Sequence, residues 1–129
     1  MNRTISLVAA LGIALLPACG GNSTTAEIAL PPAAAEGRDL YRSKGCAACH
    51  GSDADGGVAP PLAGLFGSEV SLQSGEQVIA DRDYLVESIL DPSAELVDGY
   101  NLPMPATNLS DDEIDAIVAY IEELAEVTP

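Results

Sequence analysis

Five consecutive residues, Cys46-Ala47-Ala48-Cys49-His50, restrict this chain more than any other stretch of it. Two thiols three positions apart lie on one side of a single helical turn, and an imidazole follows the second directly. The spacing C-x-x-C-H is the attachment signature of a c-type haem. The thiols add across two vinyl groups of one porphyrin, and the adjacent His puts a ring nitrogen under the iron as proximal ligand. Ala47 and Ala48 are small enough for a macrocycle edge to lie against the backbone. Other uses of such a motif fit poorly. A thioredoxin-like C-x-x-C follows a strand in a βαβ unit, and no such alternation is present. A zinc site takes four ligands, and beyond Cys19 the chain offers only Cys46, Cys49 and His50 as thiolate or imidazole donors. The sequence therefore predicts one covalent haem c on Cys46, Cys49 and His50.

Covalent haem of this kind is installed outside the cytoplasm, and the start of the chain agrees. Residues 1–18 read as a signal peptide: Arg3 supplies the positive end, and Ile5 to Leu16 is an apolar run of twelve residues. That is short of the roughly 20 needed to span a bilayer as a helix. The run ends in Leu16-Pro17-Ala18-Cys19-Gly20, which resembles the lipobox of bacterial lipoproteins, in which the Cys is acylated and becomes the anchored N-terminus. Cys19 is thus the expected lipidation site, and no thiol is left over. The predicted location is extracytoplasmic, tethered to a bacterial membrane, either on the periplasmic side or on the outer face of the cytoplasmic membrane. Residues 19–35 are rich in Gly, Ser, Thr, Ala and Pro, and read as a flexible linker with a reach of about 20–25 Å.

Residues 36–127 read as the folded domain. With four Tyr, one Phe and no Trp, it buries a marginal core unaided, and haem would supply the missing apolar body. Glu36 to Lys44 predicts a short helix with Leu40 and Tyr41 inward, closed by Gly45. Gly51 to Gly57 reads as a polar, solvated turn. Its Asp53-x-Asp55-Gly56 faintly resembles a calcium loop, but lacks the later ligands. Val70/Leu72 and Val78/Ala80 alternate around Ser74-Gly75, predicting a small hairpin. Asp81 caps a helix to about Leu90, and residues 92–109 are irregular. Ser110 to Glu113 is a capping box opening the strongest helix, with Ile114, Ile117, Val118, Ile121 and Leu124 on one face.

The second axial position decides what such a haem does. After the initiator, Met104 is the only Met, and there is no second His. Lys and Tyr remain as other donors. Met104 sits in Leu102-Pro103-Met104-Pro105, a rigid loop without the periodicity of a core element. It is the expected sixth ligand, completing the Met/His pairing of electron-transfer cytochromes.

At this point the chain resembles the class I c-type cytochromes, over the whole domain. Gly37 and Tyr41 match the Gly and aromatic of that family's N-terminal helix, and Tyr120 matches the aromatic of its C-terminal helix. Pro60, Leu62 and Gly64 match its Pro-x-Leu-x-Gly segment, although Ala59 stands where a Gly usually precedes the Pro. The resemblance implies an all-α fold, a small cytochrome c-type helical fold wrapped around one haem, here with a short β-hairpin insertion. It implies that the two terminal helices cross at Gly37, and that the Pro60 carbonyl orients His50. Tyr84-Leu85, Ser88-Ile89, Pro92, Gly99-Tyr100 and Met104-Pro105 are most similar to the cytochrome domain fused to subunit II of some bacterial haem-copper oxidases. The copper-binding part and the two-helix anchor of that subunit are not in this sequence, and the lipid would replace the anchor.

Iron held by His50 and Met104 has no free site, so the expectation is a one-electron respiratory carrier and not an enzyme by itself. The rivals are a haem enzyme or gas sensor with a loosely bound Met104, and a fixed subunit similar to the lipid-anchored monohaem cytochrome of alternative complex III. The formal net charge is −15, and losing residues 1–18 makes it one unit more negative. Nucleic acid and anionic lipid surfaces are poor partners for such a chain. Redox proteins are the expected partners, a quinol-oxidising complex or other donor and a terminal oxidase as acceptor, each with a basic docking patch.

Overall fold

The structure, a computed structural model, describes residues 29–126. The predicted signal peptide, Cys19 and the linker up to residue 28 lie outside the described residues. The fold is helical with one small hairpin, the class the sequence predicts. Helix α1 spans Pro32–Ser43, α2 Ala47–His50, α3 Arg82–Leu90 and α4 Asp111–Glu123, with a 3₁₀ turn at Leu124–Glu126. Strands β1 (Glu69–Ser71) and β2 (Gln77–Ile79) pair antiparallel, Val70 opposite Val78. Among the described residues no helix is long and apolar enough to cross a membrane.

Helix α1 starts at Pro32, four residues earlier than the sequence reading placed it. Pro31 is extended and Pro32 takes the first helical position, where its fixed φ is already helical and its missing N–H is not needed. Ala33 to Ala35, read as linker by composition, are the best helix formers available. Ala34 is buried, so the turn is packed and not merely permitted.

The organising contact is the crossing of α1 and α4, the most extensive between helices. Gly37 makes it: a Cβ there would overlap the backbone carbonyl of Ala116 and lie 2.9 Å from Tyr120 Cβ. The Tyr41 and Tyr120 rings meet beside it at 5.6 Å between centroids, tilted by 55°. Such tilted pairs add roughly 0.5–1.5 kcal/mol beyond the area they bury. The predicted face of α4 is the buried one, with Ile114, Ile117, Val118 and Ile121 in the core. Ser110 and Glu113 form the reciprocal capping box, and Asp81 accepts from the Tyr84 N–H to cap α3. Arg82 at the start of α3 reaches Asp115 at 2.8 Å and Glu122 at 3.0 Å on α4. It is 44% exposed, so this pair contributes little to stability.

The Gly51–Gly57 turn is more than a solvated loop. Ala54 within it is fully buried at φ 60°, and its carbonyl accepts from the Leu62 and Ala63 N–H groups at 2.8 and 3.0 Å. A β-carbon at positive φ is sterically disfavoured, and the burial and paired carbonyl of Ala54 offset that. The polar neighbours Asp53 and Asp55 face solvent and conceal this from a composition reading.

Candidate functional site: an apolar crevice between His50 and Met104

The attachment turn is held from three sides. Gly45, at φ 91°, ends α1 and redirects the chain into Cys46. Tyr41 donates its hydroxyl to the Gly51 carbonyl at 2.5 Å, tying the helix crossing to the C-terminus of α2. The chain then doubles back: the Gly56 N–H donates to the His50 carbonyl at 2.8 Å and the Ala59 N–H to the Cys49 carbonyl at 3.1 Å. Gly57 permits this approach, since a Cβ there would stand 2.8 Å from the Cys49 carbonyl oxygen. The reversal delivers the Pro60 carbonyl to His50, with 2.8 Å between that oxygen and Nδ1. This is the contact the family resemblance implies. It makes Nδ1 the protonated nitrogen and leaves Nε2 with the lone pair a metal requires.

Cys46, Cys49 and His50 open onto a crevice of about 440 Å³. Leu62, Leu65 and Val70 line it on one side, Tyr84, Leu85 and Ile89 of α3 on another, and Ile117 and Ile121 of α4 behind. The remaining wall is the segment Leu102 to Pro105, with Met104 in it. Met104 is half-buried and packs against the core cluster. The structure thus brings Cys46, Cys49, His50, Pro60 and Met104 to one cavity, while Cys19 lies outside the described residues.

Electrostatics in the crevice follow burial. The Cys46 and Cys49 thiols are not bonded to each other, and burial pushes the Cys46 thiol up, which keeps it neutral. Burial raises the Tyr84 hydroxyl, with its hydrogen bond to Ser88 opposing the shift. Tyr41 is also raised, by burial first and by Tyr120 second, so it remains the donor to Gly51. Acidic side chains, Glu69, Glu95 and Asp98, stand among the lining residues.

These residues fit a c-type haem. Two unpaired thiols, an imidazole with its proton assigned to a carbonyl, and a thioether border one apolar space of the required kind. Sequence reasoning missed one contributor: Gln73, on the hairpin, contacts the carbonyls that precede the Met104 loop. No local signal marks it, since its partners lie 24 and 27 residues away.

No curated protein matches the chain. The family model of cytochrome c matches residues 34–125, from the first turn of α1 through the attachment turn and the crevice to the end of α4. By that match this chain belongs to the cytochrome c family and carries one covalently bound haem c.

Proposed function

We propose that the protein is a one-electron carrier of a respiratory chain, with haem iron held axially by His50 and Met104. The observation that carries this reading is the placement of the lone imidazole and the one non-initiator thioether on the same apolar crevice. The haem supplies the Fe(III)/Fe(II) couple. The chain's residues adjust it. The Pro60 carbonyl fixes the His50 ring and increases its basicity as a ligand. A soft thioether at Met104 favours Fe(II) and raises the potential. Apolar walls from β1, α3 and α4 exclude water, which favours the less charged state in the same direction. With His50 and Met104 both holding the haem, the group would supply one-electron transfer and these two residues would keep substrate from the metal.

Acylated Cys19 would tether this domain outside the cytoplasm, close to a membrane-bound donor that oxidises quinol and a terminal oxidase that accepts. A basic patch on the partner suits the surface. Lys44 is paired with Glu113, and Arg82 with Asp115 and Glu122, so much of the scarce positive charge is neutralised internally. Asp98 meanwhile stands at the crevice. Such encounters are steered electrostatically and weaken with salt.

The test is direct. The reduced wild-type protein should not bind carbon monoxide, and membranes lacking the protein should lose oxidase turnover until it is restored. Carbon monoxide binding by the intact wild type would overturn the carrier reading in favour of a haem enzyme or sensor.

A further inference from the structure

The hairpin does more than pair its own strands: its inner edge grips the chain that leads to Met104. Leu72 forms an isolated bridge with Val97. The Gln73 N–H donates to the Leu96 carbonyl at 2.8 Å, and the Asp98 N–H donates to the Ser71 carbonyl at 2.9 Å. The Gln73 side chain then adds a second layer, its Nε2 donating to the Tyr100 carbonyl at 2.8 Å and, more weakly, to Val97 at 3.4 Å. Past Tyr100 this support stops. Among the described residues, Asn101 to Leu109 makes no hydrogen bond, and the chain is secured again only at the Ser110 capping box.

We propose that Gln73 is a positioning residue for the sixth-ligand side of the crevice: its side-chain amide sets how often the Met104 loop opens. The inference rests on Met104 being the axial ligand. Tyr100 is the last anchored residue before Met104, four positions away; its N–H reaches the Val97 carbonyl at 3.4 Å, and Gln73 supplies its shorter bond, to the Tyr100 carbonyl. Without that anchor the free segment lengthens back to Asp98, which the backbone bond to Ser71 and the Leu72–Val97 bridge still hold. The added length is small, so the effect is that of one net hydrogen bond, which changes a population by roughly two- to tenfold. Gln73 is exposed and lies outside the hydrophobic core, so its replacement leaves the core untouched. It has two donors aimed at carbonyls, and a Glu of the same shape would oppose two oxygens with a carboxylate.

The experiment compares entry of imidazole into the oxidised holoprotein in the wild type, Gln73→Glu, Gln77→Glu and Met104→Ala. Gln77 is exposed on β2 and controls for added charge on the same hairpin. Gln73→Glu should admit imidazole about two- to tenfold faster than wild type, with an unchanged melting midpoint. Amide hydrogen exchange at Asp98 should accelerate in parallel, a readout independent of the haem. Gln77→Glu should behave as wild type, and Met104→Ala should be the fastest. Wild-type rates in Gln73→Glu, or equal acceleration in Gln77→Glu, would overturn the role of Gln73. Equal imidazole entry in wild type and Met104→Ala would instead remove Met104 ligation itself, whatever Gln73→Glu does.

Discussion

The two sides of the crevice are built differently. Around His50, the Cys49 and His50 carbonyls, the Gly51 carbonyl and the imidazole Nδ1 each have a partner from the returning chain or from α1. Around Met104, nine consecutive residues make no hydrogen bond among the described residues. Local stability follows the density of buried contacts and hydrogen bonds. One side is therefore a fixed wall, and the other a flap hydrogen-bonded only at its two ends and otherwise held by the packing of Met104 and Leu109 on the core. The covalent chemistry sits on the fixed wall, where two thiols and an imidazole must present themselves in one geometry. On the reading proposed above, exchangeable coordination by Met104 would belong to the flap, where a small change in anchoring would alter ligand retention without disturbing the fold.

The comparison breaks most completely if the haem is removed. Replacing Cys46 and Cys49 together by Ala should abolish haem that survives denaturation, read as loss of peroxidase staining on a denaturing gel. The lining of the crevice would then lose its apolar partner, and the double variant should unfold with a broad, weakly cooperative melt. A sharp melt close to the wild-type midpoint would show that the helix crossing alone holds both sides.

Next in size is an attack on the fixed wall. Gly37→Ala places a methyl against the Ala116 carbonyl, which is backbone and cannot step aside as a side chain can. Overpacking typically costs 1–3 kcal/mol, and here the upper part of that range, about 2–3 kcal/mol, is expected in urea unfolding of the holoprotein. Because Tyr41 bridges the crossing to the attachment turn, the amide of Gly51 should also exchange faster.

The flap should respond in the opposite manner, with a large change in chemistry and a modest one in folding. Met104→Ala should lower the reduction potential and let the reduced protein bind carbon monoxide. Its loss of folding stability should be smaller than that of Gly37→Ala, since Met104 is only half-buried. A protein unchanged in potential and spectrum would make Met104 a packing residue.

The same division explains what could be read from the sequence. The attachment turn, the caps at Asp81 and Ser110 and the hairpin depend on residues a few positions apart, and those local patterns were legible. Gly37 and Pro60 were placed through the family resemblance, and the close helix approach and the 2.8 Å contact with His50 agree with it. The beginning of α1 was misread because Pro and Ala suit both a linker and a first helical turn, and only the burial of Ala34 decides between them. Ala54 was hidden among polar neighbours. The grip of Gln73 on Val97 and Tyr100 is a long-range contact with no periodicity behind it, so no pattern along the chain announces it.

The smallest expected effect concerns an ion pair that joins the two sides. Lys44 closes α1 just before the attachment turn, and Glu113 lies in the first turn of α4, just after the flap; their charged atoms are 2.6 Å apart. Glu113 also closes the capping box, accepting from the Ser110 N–H at 3.0 Å. The hydrogen bond to Lys44 first, and the one to the Ser110 backbone second, hold the Glu113 carboxyl below its ordinary value of 4.5. A carboxylate whose pKa is depressed on folding stabilises the fold above its unfolded pKa, and that contribution is lost as pH falls through the folded value. Glu113→Gln separates the two roles, because Gln can serve in a capping box but carries no charge. At neutral pH the variant should be slightly less stable than wild type, by less than either substitution above. As the solution is acidified below the ordinary carboxyl range the two unfolding curves should converge, because protonated Glu113 and Gln are then electrically alike. Raising the salt at neutral pH should narrow the gap as well, since exposed pairs are screened. A gap that persisted in acid would mean that the cap and not the ion pair is what Gln fails to replace, and that the flap is secured to its own helix alone. A gap that closes would identify the charge of the Glu113 carboxylate, in its contacts with Lys44 and the Ser110 N–H, as what Gln fails to replace.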